Sequence, residues 1–141
     1  MSGRTVPSRR TVLRSAALTP VAGLAAAACS PGDDVAAPAR PTAPVELGAD
    51  GEVAEGATKL YRDANVVVSR AGDGSLKAFS TVCTHAGCPI GKLEGTKLVC
   101  SCHGSEFDAR TGEVLHAPAT APLVELPVEV KQGRIVASPG T

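Results

Sequence analysis

The chain has 141 residues, a formal net charge of zero from 14 basic and 14 acidic side chains, and three aromatic residues, Tyr61, Phe79 and Phe107. Nothing in that balance points to nucleic acid, whose binding needs a basic stripe, and the length suits one domain with an appended segment. A core without tryptophan must come from Val, Leu and Ile, and a domain this small gains from a cofactor or a cross-link.

The first 29 residues read as an address. Arg9 and Arg10 precede an Ala-rich apolar stretch from Ala16 to Ala28, which Pro20 interrupts. The stretch is too short to span a membrane. A charged start, an apolar run and small residues at the end make a signal peptide, and the paired arginines resemble a twin-arginine export signal. Ala26-Ala27-Ala28-Cys29 resembles a lipobox, which implies lipidation of Cys29 and accounts for an odd cysteine count, while Ala26-x-Ala28 equally suits ordinary signal peptidase and a freely secreted protein. Residues 30–44 contain Pro31, Pro38, Pro41 and Pro44 among Ala, Gly and Asp, a composition suited to a disordered tether. The domain is expected over 45–139.

From Val45 onward there is no helical periodicity. Short apolar runs predict strands over Thr58–Tyr61, Val66–Arg70, Leu76–Ser80, Lys97–Val99, Glu106–Asp108, Glu113–Leu115, Val124–Val130 and Arg134–Ala137. Asp73-Gly74 and Gln132-Gly133 are turn signals, and Pro127 marks an edge or a bulge. The expected fold class is all-β, an antiparallel sandwich or barrel.

Two segments within that frame carry chemistry: Cys83-Thr84-His85-Ala86-Gly87-Cys88 and Cys100-Ser101-Cys102-His103-Gly104-Ser105. Each brings thiols and an imidazole within a few residues. Four cysteines alone suit zinc or a plant-type ferredoxin, whereas two cysteines with two histidines suit the mixed ligand set of a Rieske centre. Zinc fits the ligand types but leaves Gly87, Gly104 and Ser105 unexplained.

The two boxes together resemble those of the Rieske 2Fe–2S proteins of cytochrome bc complexes. The resemblance implies a fold with two cluster-binding loops at its tip and one 2Fe–2S cluster. It also implies that Cys83 and Cys100 bind one iron, that His85 and His103 bind the other, and that Cys88 and Cys102 form a disulfide. Ala117-Pro118-Ala119-Thr120-Ala121-Pro122 falls where the family has a proline-rich loop that shields the cluster. Ser105 matches a serine that hydrogen-bonds a cluster sulfide. Phe107 stands where high-potential members have Tyr, which implies a potential below theirs and above that of dioxygenase-type ferredoxins. His116 reads as a plain surface residue.

The function implied is one-electron transfer on the outer face of the cytoplasmic membrane, as in the iron–sulfur subunit of quinol–cytochrome c reductases. Expected partners are cytochrome b, a c-type cytochrome and quinol, with His103 as the quinol contact and a lipid anchor at Cys29. The alternative is a stand-alone exported shuttle, or the small subunit of another exported oxidoreductase. Either way the domain is an electron-transfer component rather than a complete enzyme, because it lacks a quinone pocket of its own.

Overall fold

The structure is a computed structural model and describes residues 40–140. The expected signal peptide, Cys29 and most of the expected tether lie outside the described residues. Among the described residues there are eleven strands: β1 (Val45–Ala49), β2 (Thr58–Tyr61), β3 (Val66–Arg70), β4 (Leu76–Ser80), β5 (Lys92–Glu94), β6 (Lys97–Val99), β7 (Glu106–Asp108), β8 (Val114–His116), β9 (Glu125–Leu126), β10 (Val128–Lys131) and β11 (Arg134–Ala137). They form three antiparallel sheets, in the orders β1-β11-β10, β2-β3-β4-β9 and β5-β6-β7-β8. No helix of the described residues is long and apolar enough to cross a membrane.

The strands differ from expectation in four places. Val124–Val130 is two strands, because Pro127 has no N–H to donate to a ladder. β8 starts one residue late. β1 and β5 were not expected; β1 carries a bulge between Glu46 and Gly48, and β5 is a three-residue strand with a charge at each end. Gln132 and Gly133 both take positive φ, 50° and 76°, which is the type I′ condition that closes the β10–β11 hairpin.

The β2-β3-β4-β9 sheet lies between two cores. Val67 and Phe79 face one, with Leu98, Phe107, Ala109, Leu123, Cys83 and Cys100. Val66, Val68, Ala78 and Leu126 face the other, with Val53, Ile135 and Ala137. A strand buried on both faces reads as an unbroken apolar run rather than an alternating one, and Val66, Val67 and Val68 are all fully buried. Ser69 ends the run, and its hydroxyl donates to the Ala109 carbonyl at 2.7 Å, so this buried polar group is satisfied.

Register places the loops. Lys92 of β5 pairs with Val99, which ends β6, and Glu106 of β7 pairs with His116, which ends β8. The approach to β5, the β6–β7 connection and the exit from β8 therefore emerge at one end of that sheet. These are the two cysteine–histidine segments and the Ala117–Pro122 stretch.

Candidate metal centre

The two cysteine–histidine segments share one backbone frame. In the first, the Cys83 N–H donates to the Cys88 carbonyl and the Gly87 N–H to the Cys83 carbonyl, both at 2.8 Å. In the second, the Cys100 N–H donates to the Ser105 carbonyl and the Gly104 N–H to the Cys100 carbonyl, both at 2.9 Å. Each loop thus opens on a buried cysteine and turns back through a glycine four residues on. Gly87 and Gly104 have φ of 75° and 79°, a region that a Cβ disfavours. The sequence signal for this repeat is Cys-x-x-x-Gly in both boxes, which ligand types alone do not reveal.

This frame sorts the side chains. Cys83 and Cys100 are free thiols and buried, at 3% and 0% exposure. Their side chains are in hydrogen-bonding contact, and the backbone N–H groups of Cys102 and His103 donate toward the Cys100 sulfur. Burial pushes the Cys100 thiol above its ordinary pKa, and those N–H groups oppose the shift. A thiolate there is favoured by a bound cation, which deprotonates a coordinating thiol. His85 and His103 are exposed, with ring centroids 4.8 Å apart and an interplanar angle of 78°. Two thiols lie inward and two imidazoles outward, which fits the mixed donor set of a 2Fe–2S cluster.

Cys88 and Cys102 are bonded to each other and tie the two loops together. Their sulfurs and that of Cys100 lie within 4.8 Å of one another, so the disulfide runs beside the buried thiols. Of those three sulfurs only Cys100 remains a free thiol, and the trio is not a separate metal site.

The Ala117–Pro122 segment closes the third side. The Thr84 hydroxyl donates to the Ala121 carbonyl at 2.6 Å, and the Ala119 N–H donates to the Ser105 Oγ at 3.0 Å. Ala119 is buried and packs in the same core as Cys83 and Cys100. Neither bond was legible beforehand, because each joins residues far apart in sequence. Phe107 is fully buried in that core, beneath the loops. His116 is exposed at the end of β8.

On the far side of the first loop, Val82 bridges Pro89, the Ile90 N–H donates to the Thr81 carbonyl, and the Arg62 Nε donates to the Gly91 carbonyl, both at 2.8 Å. The loop's two stems are therefore held from behind. Arg62 was not singled out from sequence, since a lone arginine in a short polar turn carries no signal of its own.

The model of the Rieske 2Fe–2S domain matches residues 43–132. The cytochrome b6-f complex iron–sulfur subunit of Chlorobaculum tepidum is 35% identical over 95 residues, which are 65% of this chain and 51% of that protein. The cytochrome bc1 complex Rieske iron–sulfur subunit of Corynebacterium diphtheriae is 39% identical over 85 residues, 54% of this chain and 21% of that one. The chain thus spans about half the length of the first relative and about a fifth of the second. Among solved structures, the cyanobacterial plasma membrane Rieske protein from Synechocystis PCC 6803 superposes with a TM-score of 0.53 at 32% identity, covering 67% of this chain and 99% of that one. The sequence match, the all-β fold and the paired thiol and imidazole loops agree: the chain belongs to the Rieske 2Fe–2S family, it binds a 2Fe–2S cluster, and it transfers electrons.

Proposed function

We propose that this domain carries single electrons from quinol toward a c-type cytochrome on the outer face of the cytoplasmic membrane, as part of a complex with cytochrome b. In this reading Cys83 and Cys100 hold one iron, and His85 and His103 the other. When bound, the cluster supplies a one-electron acceptor and donor near the protein surface.

The observation that carries the reading is the orientation of the four side chains: two buried thiols beneath two exposed imidazoles. An imidazole has two ring nitrogens. With one directed inward, the other faces outward and can hydrogen-bond a quinol hydroxyl, with His103 as the contact. Thr84 and Ser105, through Ala121 and Ala119, hold the third loop against the site and limit the entry of water from that side. Export by the twin-arginine signal and a lipid anchor at Cys29 would place the domain at the membrane surface. The relatives named as bc1 and b6-f subunits support this assignment.

A second reading is a stand-alone exported shuttle, or the small subunit of another exported oxidoreductase. It is supported by a relative of another kind, a putative respiratory nitrate reductase Rieske subunit of Haloferax mediterranei, 41% identical over 63 residues. Affinity purification from solubilised membranes separates the two. Co-purification of a b-type cytochrome is expected of the first reading, and its absence from intact, cluster-loaded protein would favour the second.

A further inference from the structure

A cleft of about 310 Å³ opens at the end of the domain opposite the ligand loops, lined by Gly56, Arg110 and residues of β3, β4 and their connection. Register fixes its position. The β3–β4 connection follows the Arg70–Leu76 pair, while the Val66–Ser80 end of the same strands leads to Cys83. Arg110 lies in the β7–β8 connection, at the other end of β7 from Ser105.

Three cationic side chains line this cleft, Arg70, Lys77 and Arg110, and none of its lining residues is acidic. Both guanidiniums are held by backbone. Arg110 Nη2 donates to the Gly56 carbonyl at 3.0 Å. Arg70 donates from Nε to the Val53 carbonyl at 2.7 Å, from Nη1 to the Gly74 carbonyl at 3.1 Å, and from Nη2 to the Asp50 carbonyl at 3.1 Å. Arg70 also pairs with the Asp50 carboxylate. Asp73, close by, is taken up by the Ser75 N–H and hydroxyl, at 2.9 and 2.7 Å. Lys59, Lys92, Lys97 and Lys131 each have a carboxylate partner, whereas Lys77 and Arg110 have none among the described residues. Two cations without an ion-pair partner thus share one concave site, while the Asp108 carboxylate accepts the Arg110 backbone N–H and Glu125 borders Lys77 on another side.

We propose that this cleft binds a phosphate-class oxyanion, free or carried on a small organic body. A guanidinium presents planar paired donors that match phosphate oxygens. Arg110 is already anchored to Gly56, so less freedom is lost on binding than for a free surface arginine. Lys77 adds a compact, mobile charge, and Arg70 contributes a third whose field Asp50 partly offsets. The volume lies at the lower end of small-ligand sites.

The test is calorimetric titration of the full, cluster-loaded chain with inorganic phosphate at low ionic strength. Saturable binding of one phosphate with a Kd below about 1 mM is expected. Lys77→Gln and Arg110→Gln should each weaken it at least about fivefold, with the ion-paired Lys131→Gln as a control that leaves it unchanged. The reduced-cluster paramagnetic signal and the melting temperature report whether each variant is folded. Non-saturable heats, or a Kd that moves equally in the Lys131→Gln control, would overturn the proposal.

Discussion

The Ser105 Oγ accepts the Ala119 N–H at 3.0 Å, so the residue whose carbonyl closes the second ligand loop is also, through its hydroxyl, the point where the third loop is fastened. Accepting that bond fixes the oxygen and leaves its own proton to donate elsewhere. A sulfur acceptor in the cluster gains more from that proton when reduced, because it is then more negative. Ser105→Ala should therefore lower the potential. A difference of about 1 kcal/mol between redox states corresponds to about 40 mV for one electron. Protein-film voltammetry showing an unchanged or higher potential would mean that the hydroxyl does not address the cluster.

Phe107 tests the same idea from below. It is fully buried and packs in the core that includes Cys83 and Cys100. Phe107→Tyr adds a donor there, and the potential should rise by a similar few tens of millivolts, given about 1 kcal/mol of differential bonding. A hydroxyl without an acceptor would instead cost about 1–3 kcal/mol of stability. Loss of stability with no rise in potential would show that the ring does not approach a ligand sulfur.

Cys88 and Cys102 are 14 residues apart in sequence, and their bond joins the two ligand loops. Closing a loop of that size stabilises by about 3 kcal/mol in the chain-entropy picture. Cys88→Ala should lower the denaturation midpoint accordingly and speed loss of the cluster's visible absorption. A midpoint unchanged from wild type under oxidising conditions would count against a structural role for the bond.

Thr84→Val keeps the shape of the side chain and removes the donor to Ala121. It should cost about 1 kcal/mol and raise amide exchange in the segment around Ala119 while the β3 and β4 amides stay protected. Exchange unchanged in that segment would mean that packing of Ala119 alone holds the loop.

Much of this was legible in the sequence where local chemistry decides the outcome. The Val66-Val67-Val68 run, the Leu76–Ser80 strand and the Gln132-Gly133 turn carry their own signals, and the structure has each of them. β5 carries none: Lys92 and Glu94 flank a single Leu93, and the strand exists because β6 pairs with it. β1 was masked by the prolines before it and by Gly48, where its ladder slips past β11. In the site, residue types pointed to a mixed thiol and imidazole set, while the resemblance to the Rieske family implied which residues would hold the cluster and that Cys88 and Cys102 are cross-linked, a bond the structure has. The Thr84–Ala121 and Ser105–Ala119 bonds span 37 and 14 residues, and nothing local announces them. Arg62 likewise reaches Gly91 across 29 residues.

The central claim is that two exposed imidazoles, His85 and His103, share the cluster with two buried thiolates, Cys83 and Cys100. Pulsed electron paramagnetic resonance on the dithionite-reduced protein tests it most directly, because coordinated ring nitrogens couple to the unpaired electron. The account predicts two nitrogen couplings that shift when histidine is labelled with nitrogen-15, and loss of the native Rieske spectrum in His85→Cys and in Cys100→Ser. A reduced cluster with no histidine nitrogen coupling, or a native spectrum that survives in either variant, would contradict it.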